Sequence, residues 1–123
     1  MKVINRIKKS DDFLLTIKKG RAHHNQAYTI HIRSTQLGYT RVGLSVSSKL
    51  GNAVKRVRIK RQLRAMTDSL INYNDQSFDI VIVVRKPFLI GTFSDNKSLL
   101  SELLSVQVGI NQWKEKQNLH SVD

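Results

Sequence analysis

Residues 41–64 read RVGLSVSSKLGNAVKRVRIKRQLR, and the order of the fold is decided inside them. From Arg41 to Ser47 the chain alternates: Val42, Leu44 and Val46 are apolar and their neighbours polar or small, the two-residue period of a half-buried strand. Ser48-Lys49-Leu50-Gly51-Asn52 breaks that period with turn and capping residues. From Ala53 the period is helical. At about 100° per residue, Ile59, Leu63, Met66 and Leu70 form one narrow apolar stripe, with Arg58, Lys60, Arg61 and Arg64 spread over the opposite side. A strand thus feeds a helix that packs on a core by one face and displays cations on the other.

Within 49–64 no acid neutralises Lys49, Lys55, Arg56, Arg58, Lys60, Arg61 and Arg64, and the first one afterwards is Asp68. Cations crowded this closely repel one another, so a polyanion is the natural partner. A solvated charged face is the plain alternative. Arginine predominates, however, and its planar fork suits bidentate phosphate contacts.

The rest of the composition agrees. The 123 residues fit one domain, and the net charge of +12 points to nucleic acid or an anionic membrane. There is no cysteine, hence no disulfide and no thiolate zinc site. No signal-peptide core follows Met1, and no run approaches the roughly 18 apolar residues of a membrane span. A cytoplasmic protein with no membrane partner is expected.

Outward from the central stretch, residues 1–9 form a basic arm, loosely held. Ser10 is the expected N-cap of a helix reaching Lys18 or Lys19, with Asp11 and Asp12 in its first turn and Gly20 ending it in the left-handed conformation. Phe13 and Ile17 share a face of that helix, and Leu14 reads as core. Residues 21–26 read as a solvated loop; His23-His24 have no third ligand at productive spacing. Tyr28 to Arg33 alternates again and is expected to pair as an antiparallel hairpin with 39–47. The open face of that pair would carry Thr29, His31, Arg33, Arg41, Gly43, Ser45 and Ser47. Phe78–Val84 is nearly all apolar, as in an interior strand, and Pro87 ends it. Leu99, Leu103, Val106, Ile110 and Trp113, with Leu100 and Leu104 beside them, mark a core-facing helix from Ser94-Asp95, Trp113 being its anchor. Residues 117–123 are a flexible tail.

The central block resembles the bacterial ribonuclease P protein component, whose signature is RxGxSVSxKxGNAVxRNRxKRxxR. Asn5-Arg6-Ile7-Lys8-Lys9-Ser10-Asp11-Asp12-Phe13 is similar to that family's opening RLKKxxDF, and Phe78 to Pro87 to its third strand and exit. One departure stands out: the family's RNR triplet is Arg56-Val57-Arg58 here, and a valine cannot make an amide's hydrogen bonds.

The resemblance implies a single α+β RNA-binding domain over 1–123, an α/β sandwich of αβββαβα type. Its extra short strand lies before or within 28–47, and a left-handed crossover runs through the basic helix. The right hand holds in about 98% of such crossovers, so only the resemblance argues for the left. It implies the protein subunit of an endoribonuclease whose partners are ribonuclease P RNA and precursor tRNA, with Mg²⁺ bound mainly by RNA. Catalysis resides in the RNA, and the free protein is expected to be monomeric with no small-molecule substrate. Lys49, Asn52, Arg56, Arg58, Lys60, Arg61 and Arg64 would dock on the catalytic RNA. A cleft lined by Phe13, Ile17, His31, Arg33 and Ser45 would take the single-stranded 5′ leader of the precursor. Position 17, often aromatic in relatives, is isoleucine. His31 falls near a family tyrosine, and either stacks or simply faces solvent.

No catalytic or metal-binding group is legible: there is no HExxH, no phosphate-cradling glycine loop, no Ser/His/Asp set and no carboxylate cluster. Three rival readings share part of this pattern. A ribosomal or other structural RNA-binding protein would have the charge but not the central block. A DNA-binding module would need a helix-turn-helix, whereas strands flank the basic helix. A stand-alone nuclease would cut without added RNA.

Overall fold

The computed structural model describes residues 1–108, in which three helices and four strands alternate: α1 (Ser10–Lys19), β1 (Arg21–His24), β2 (Tyr28–Ser34), β3 (Arg41–Ser45), α2 (Ala53–Leu70), β4 (Phe78–Val84) and α3 (Phe93–Val108). The element order is the expected αβββαβα, and the extra short strand is β1, inside the stretch read as a loop. Three short 3-10 turns, Val3–Asn5, Ser48–Leu50 and Lys86–Ile90, punctuate it.

The strands make one sheet in the order β1-β2-β4-β3. The expected hairpin of β2 with β3 does not form. β4 lies between them, antiparallel to β2 (Ile30 opposite Ile82) and parallel to β3 (Val42 opposite Ile80). The reason is burial. β4 is the most continuously apolar strand, and a central position covers both its faces, which an edge position would not. Pairing register is a long-range property that alternation within each strand does not encode.

One sheet face, bearing Tyr28, Ile30, Ile32, Val42, Ile80, Ile82 and Val84, packs under α2 and α3. All four stripe residues of α2 are buried there, and α3 contributes Leu100, Leu103 and Leu104, with Leu99 only partly covered. The side chains of Val106, Ile110 and Trp113, and the tail at 117–123, lie outside the described residues. Tyr28 anchors this layer: its hydroxyl donates to Asn96 O at 2.8 Å, and its ring meets Phe88 edge-on at 5.7 Å.

The other face carries α1. Ser10 is the first helical residue rather than the cap, and Lys9 precedes it in extended conformation without a side-chain cap. Gly20 ends the helix at φ −73°, not in the left-handed region. Its glycine is needed for a different reason: a Cβ would stand 2.9 Å from the Ile32 carbonyl oxygen, where the chain turns directly into β1. Leu14, read as core, is 61% exposed, because α1 crosses the sheet alone with no second layer above it.

Residues 1–9 are not loose in this structure. Ile7 N–H donates to Val42 O at 3.1 Å, Arg6 forms a parallel bridge with Val42, and buried Asn5 donates through Nδ2 to Thr40 O at 2.9 Å. The arm therefore lies along the free edge of β3.

Candidate nucleic-acid interface

α2 begins where Gly51, at φ +147°, lets the chain leave the 3-10 turn, and Asn52 Oδ1 accepts the Lys55 N–H at 2.9 Å. Asn52, expected among the RNA contacts, is thus the helix N-cap. Once the apolar stripe is buried, the cations have nowhere to go but out. Lys49, Lys55, Arg58 and Arg61 are exposed, and Arg56, Lys60 and Arg64 are half-buried. Among the described residues, none of the seven lies in an ion pair with a carboxylate. Val54 and Val57, both exposed, sit among them and with Arg58 and Arg61 wall a groove of about 350 Å³. The position where the family signature has asparagine is therefore an apolar spot on a cationic surface.

Four of the seven cations divide into two directions. Arg58 and Arg61 flank the valines. Lys60 and Arg64 instead line a notch of about 150 Å³ together with Arg6, Ile7, Phe13 and Gly43. The two surfaces inferred separately from sequence therefore meet, with Phe13 at the junction. The Phe13 ring lies over Gly43, where a Cβ would approach Phe13 Cε2 to 2.7 Å; only glycine leaves room for the ring. Ile17 follows Phe13 four residues on, half-buried on α1.

His31 and Ser45 stand on the same sheet face as Gly43, flanking Val81 and Val83 of β4. Both are partly exposed. His31 Nδ1 is buried without a hydrogen-bond partner, and burial lowers the ring's pKa, which favours a neutral imidazole at pH 7. A neutral ring of this kind can stack on a base.

Arg33 is placed differently. Its Nη2 donates to Asp79 Oδ2 at 3.0 Å, and the same carboxylate receives Arg41 through Nε at 2.9 Å and Nη2 at 2.6 Å. Arg41 also reaches Asp12 Oδ2 at 3.4 Å. The Asp79 hydrogen bond is the largest influence raising the Arg41 pKa, so that guanidinium stays charged. Asp79 is fully buried, and the two arginines it holds form the floor of a cleft of about 700 Å³ between the basic arm and the loop joining β2 to β3. Sequence reading missed this network. The available signal was Asp79 itself, the one acid in the strand FDIVIVV: a lone carboxylate in an interior strand demands buried cationic partners.

Among the described residues, no group of three or more His, Asp or Glu side chains is placed to hold a metal ion. No helix there is long and apolar enough to cross a membrane.

The family model described as Ribonuclease P matches residues 1–107. The ribonuclease P protein component of Mesoplasma florum is 40% identical over 99 residues, covering 80% of this chain and 90% of that protein. That of Bacillus cereus is 40% identical over 101 residues, covering 81% and 88%. The solved RNase P protein of Staphylococcus aureus superposes with a TM-score of 0.77 at 32% identity, over 87% of this chain and 98% of that one.

Proposed function

This chain belongs to the ribonuclease P protein family, whose work is tRNA 5′ processing, and from that premise we propose that it binds two RNAs at once. The α2 face, with Lys49, Arg56, Arg58 and Arg61, docks on the catalytic RNA. The cleft beside it, with Phe13, Ile17, His31 and Ser45, holds the 5′ leader of precursor tRNA, and Lys60 and Arg64 stand between the two. The observation that carries this reading is the row of α2 cations, unpaired among the described residues, running up to a half-exposed aromatic ring.

Such a protein lowers the repulsion between two polyanions and fixes where the substrate strand lies. Bond cleavage would fall to the RNA, whose bound Mg²⁺ would supply the Lewis acidity for hydrolysis. On this reading the chain's own task is binding and orientation, carried by the α2 cations and the Phe13 cleft. A purely structural RNA-binding role would need the cationic face but not the cleft.

Adding the protein to a bacterial ribonuclease P RNA at low Mg²⁺ is expected to restore cleavage of precursor tRNA. No stimulation there, or cleavage by the protein with no RNA added, would sink the reading. In the same assay Phe13→Ala is expected to weaken binding of leader-bearing precursor by roughly 1–3 kcal/mol, the scale of one base–aromatic stack, while mature tRNA binds as before. Equal losses for both RNAs would remove Phe13 from the leader cleft.

A further inference from the structure

We infer that the 700 Å³ cleft between the basic arm and the β2–β3 loop is a second single-strand site, which takes the upstream nucleotides of the same 5′ leader. This rests on the reading just given for the Phe13 cleft. Three depressions share walls. Arg6 lines both the notch that holds Phe13, Lys60 and Arg64 and the large cleft. Lys8 and Lys9 line the large cleft and also a groove of about 320 Å³ bounded by Phe13 and Leu14. Together they make one path along the arm, from the Phe13 ring to the loop.

The chemistry of the far end fits an unpaired nucleotide. Arg33 and Arg41 are engaged by Asp79, yet the Arg33 side chain keeps 24% exposure, and Arg6 lines the cleft without a carboxylate partner among the described residues. Both are donors suited to a phosphate oxygen. Lys8 and Lys9 are exposed at the rim, and among the described residues neither forms an ion pair. Opposite them on the loop stand the platforms a base requires, half-buried Tyr39 and Leu37 at 44% exposure, and the arm itself adds Ile4 at 56%. A duplex offers phosphates but hides its bases, so apolar walls facing cations across a concave cleft select a single strand.

The loop is held in place rather than trailing. Thr35 N–H donates to Ser77 O at 2.9 Å, Gly38 N–H donates to Ser77 Oγ at 3.0 Å, and Gly38 turns at φ +85°. A ligand there meets a preformed wall.

The test uses holoenzyme reconstituted with ribonuclease P RNA and precursors whose leaders grow one nucleotide at a time. Wild type is expected to gain affinity in two steps, the second appearing only once the leader passes the Phe13 cleft. Leu37→Glu, an exposed loop position that leaves the core untouched, puts a carboxylate in the strand's path. It is expected to erase the second step, a loss of about tenfold for long leaders, and to leave short leaders unaffected. Tyr39→Ala should do the same. Equal losses at every leader length, impaired assembly, or no loss at all would each overturn the inference. If Phe13→Ala still separates precursor from mature tRNA while Leu37→Glu changes nothing, only this second site fails; if neither variant responds to the leader, the reading beneath it fails as well.

Discussion

Asp79→Ala is expected to destabilise the free protein by about 3 kcal/mol. The carboxylate has no solvent exposure, while the side chains of Arg33 and Arg41 are 24% and 16% exposed. Removing the acid strands two guanidinium groups beside Arg6, Lys8 and Lys9, with Asp12 alone left to answer Arg41. Breaking a buried pair by deleting one partner costs about 3–5 kcal/mol, and the partial exposure of both arginines places this site at the lower end. Denaturant unfolding of wild type, Asp79→Ala and Asp79→Asn measures it. A loss under about 1 kcal/mol would mean that the network contributes little, since that is the range of surface ion pairs.

Replacing Arg58 and Arg61 together by alanine should be nearly silent in folding and large in assembly. Both side chains are exposed and, among the described residues, unpaired, so the free protein is expected to unfold within about 0.5 kcal/mol of wild type. Each phosphate contact contributes about 0.7–0.9 to the slope of log affinity against log salt, so losing two should flatten that slope by about 1.4–1.8. Affinity for the catalytic RNA should fall most steeply at low salt, where counterion release is strongest. A titration series across salt concentrations reads both quantities. An unchanged slope would show that α2 meets no phosphate through these two residues.

The two predictions sit on opposite kinds of sequence signal. Much of α2 is legible: its start at Asn52, its buried Ile59, Leu63, Met66 and Leu70, and its outward Arg58 and Arg61 follow from period and charge alone, whereas its end at Leu70 comes before the turn residues Asn72–Asn74 that the sequence suggests. The span of β4 was equally plain, because seven consecutive residues with one acid admit little else. What local pattern could not reveal was who pairs with whom. The strands at 28–34 and 41–45 each alternate correctly, yet the strand that separates them arrives more than thirty residues later. β1 was missed for a related reason: Arg21 to His24 has no apolar face of its own and is a strand only because β2 offers an edge. Hydrophobicity alone points Leu14 inward, whereas its exposure depends on how many layers cover α1.

The candidate site divides in the same way. The cationic residues of α2 were readable one by one, but their split into two directions depends on where α2 lies against β3 and the arm. Arg33 looked like a free cation on an open sheet face until its register placed it opposite Asp79. His31 and Ser45 were correctly put on one face because alternation survives any choice of partner strand.

The Arg6–Val42 bridge also bears on solubility. β3 ends the sheet, so its outward backbone amides and carbonyls would otherwise template pairing with a strand from a neighbouring molecule. The arm occupies that position with a short segment bearing Arg6, Lys8 and Lys9, and cations on an edge disfavour addition of a further strand. A leading segment that reads as an RNA-binding appendage is, in the isolated polypeptide, also the cover that keeps this +12 chain from building sheets with its own copies.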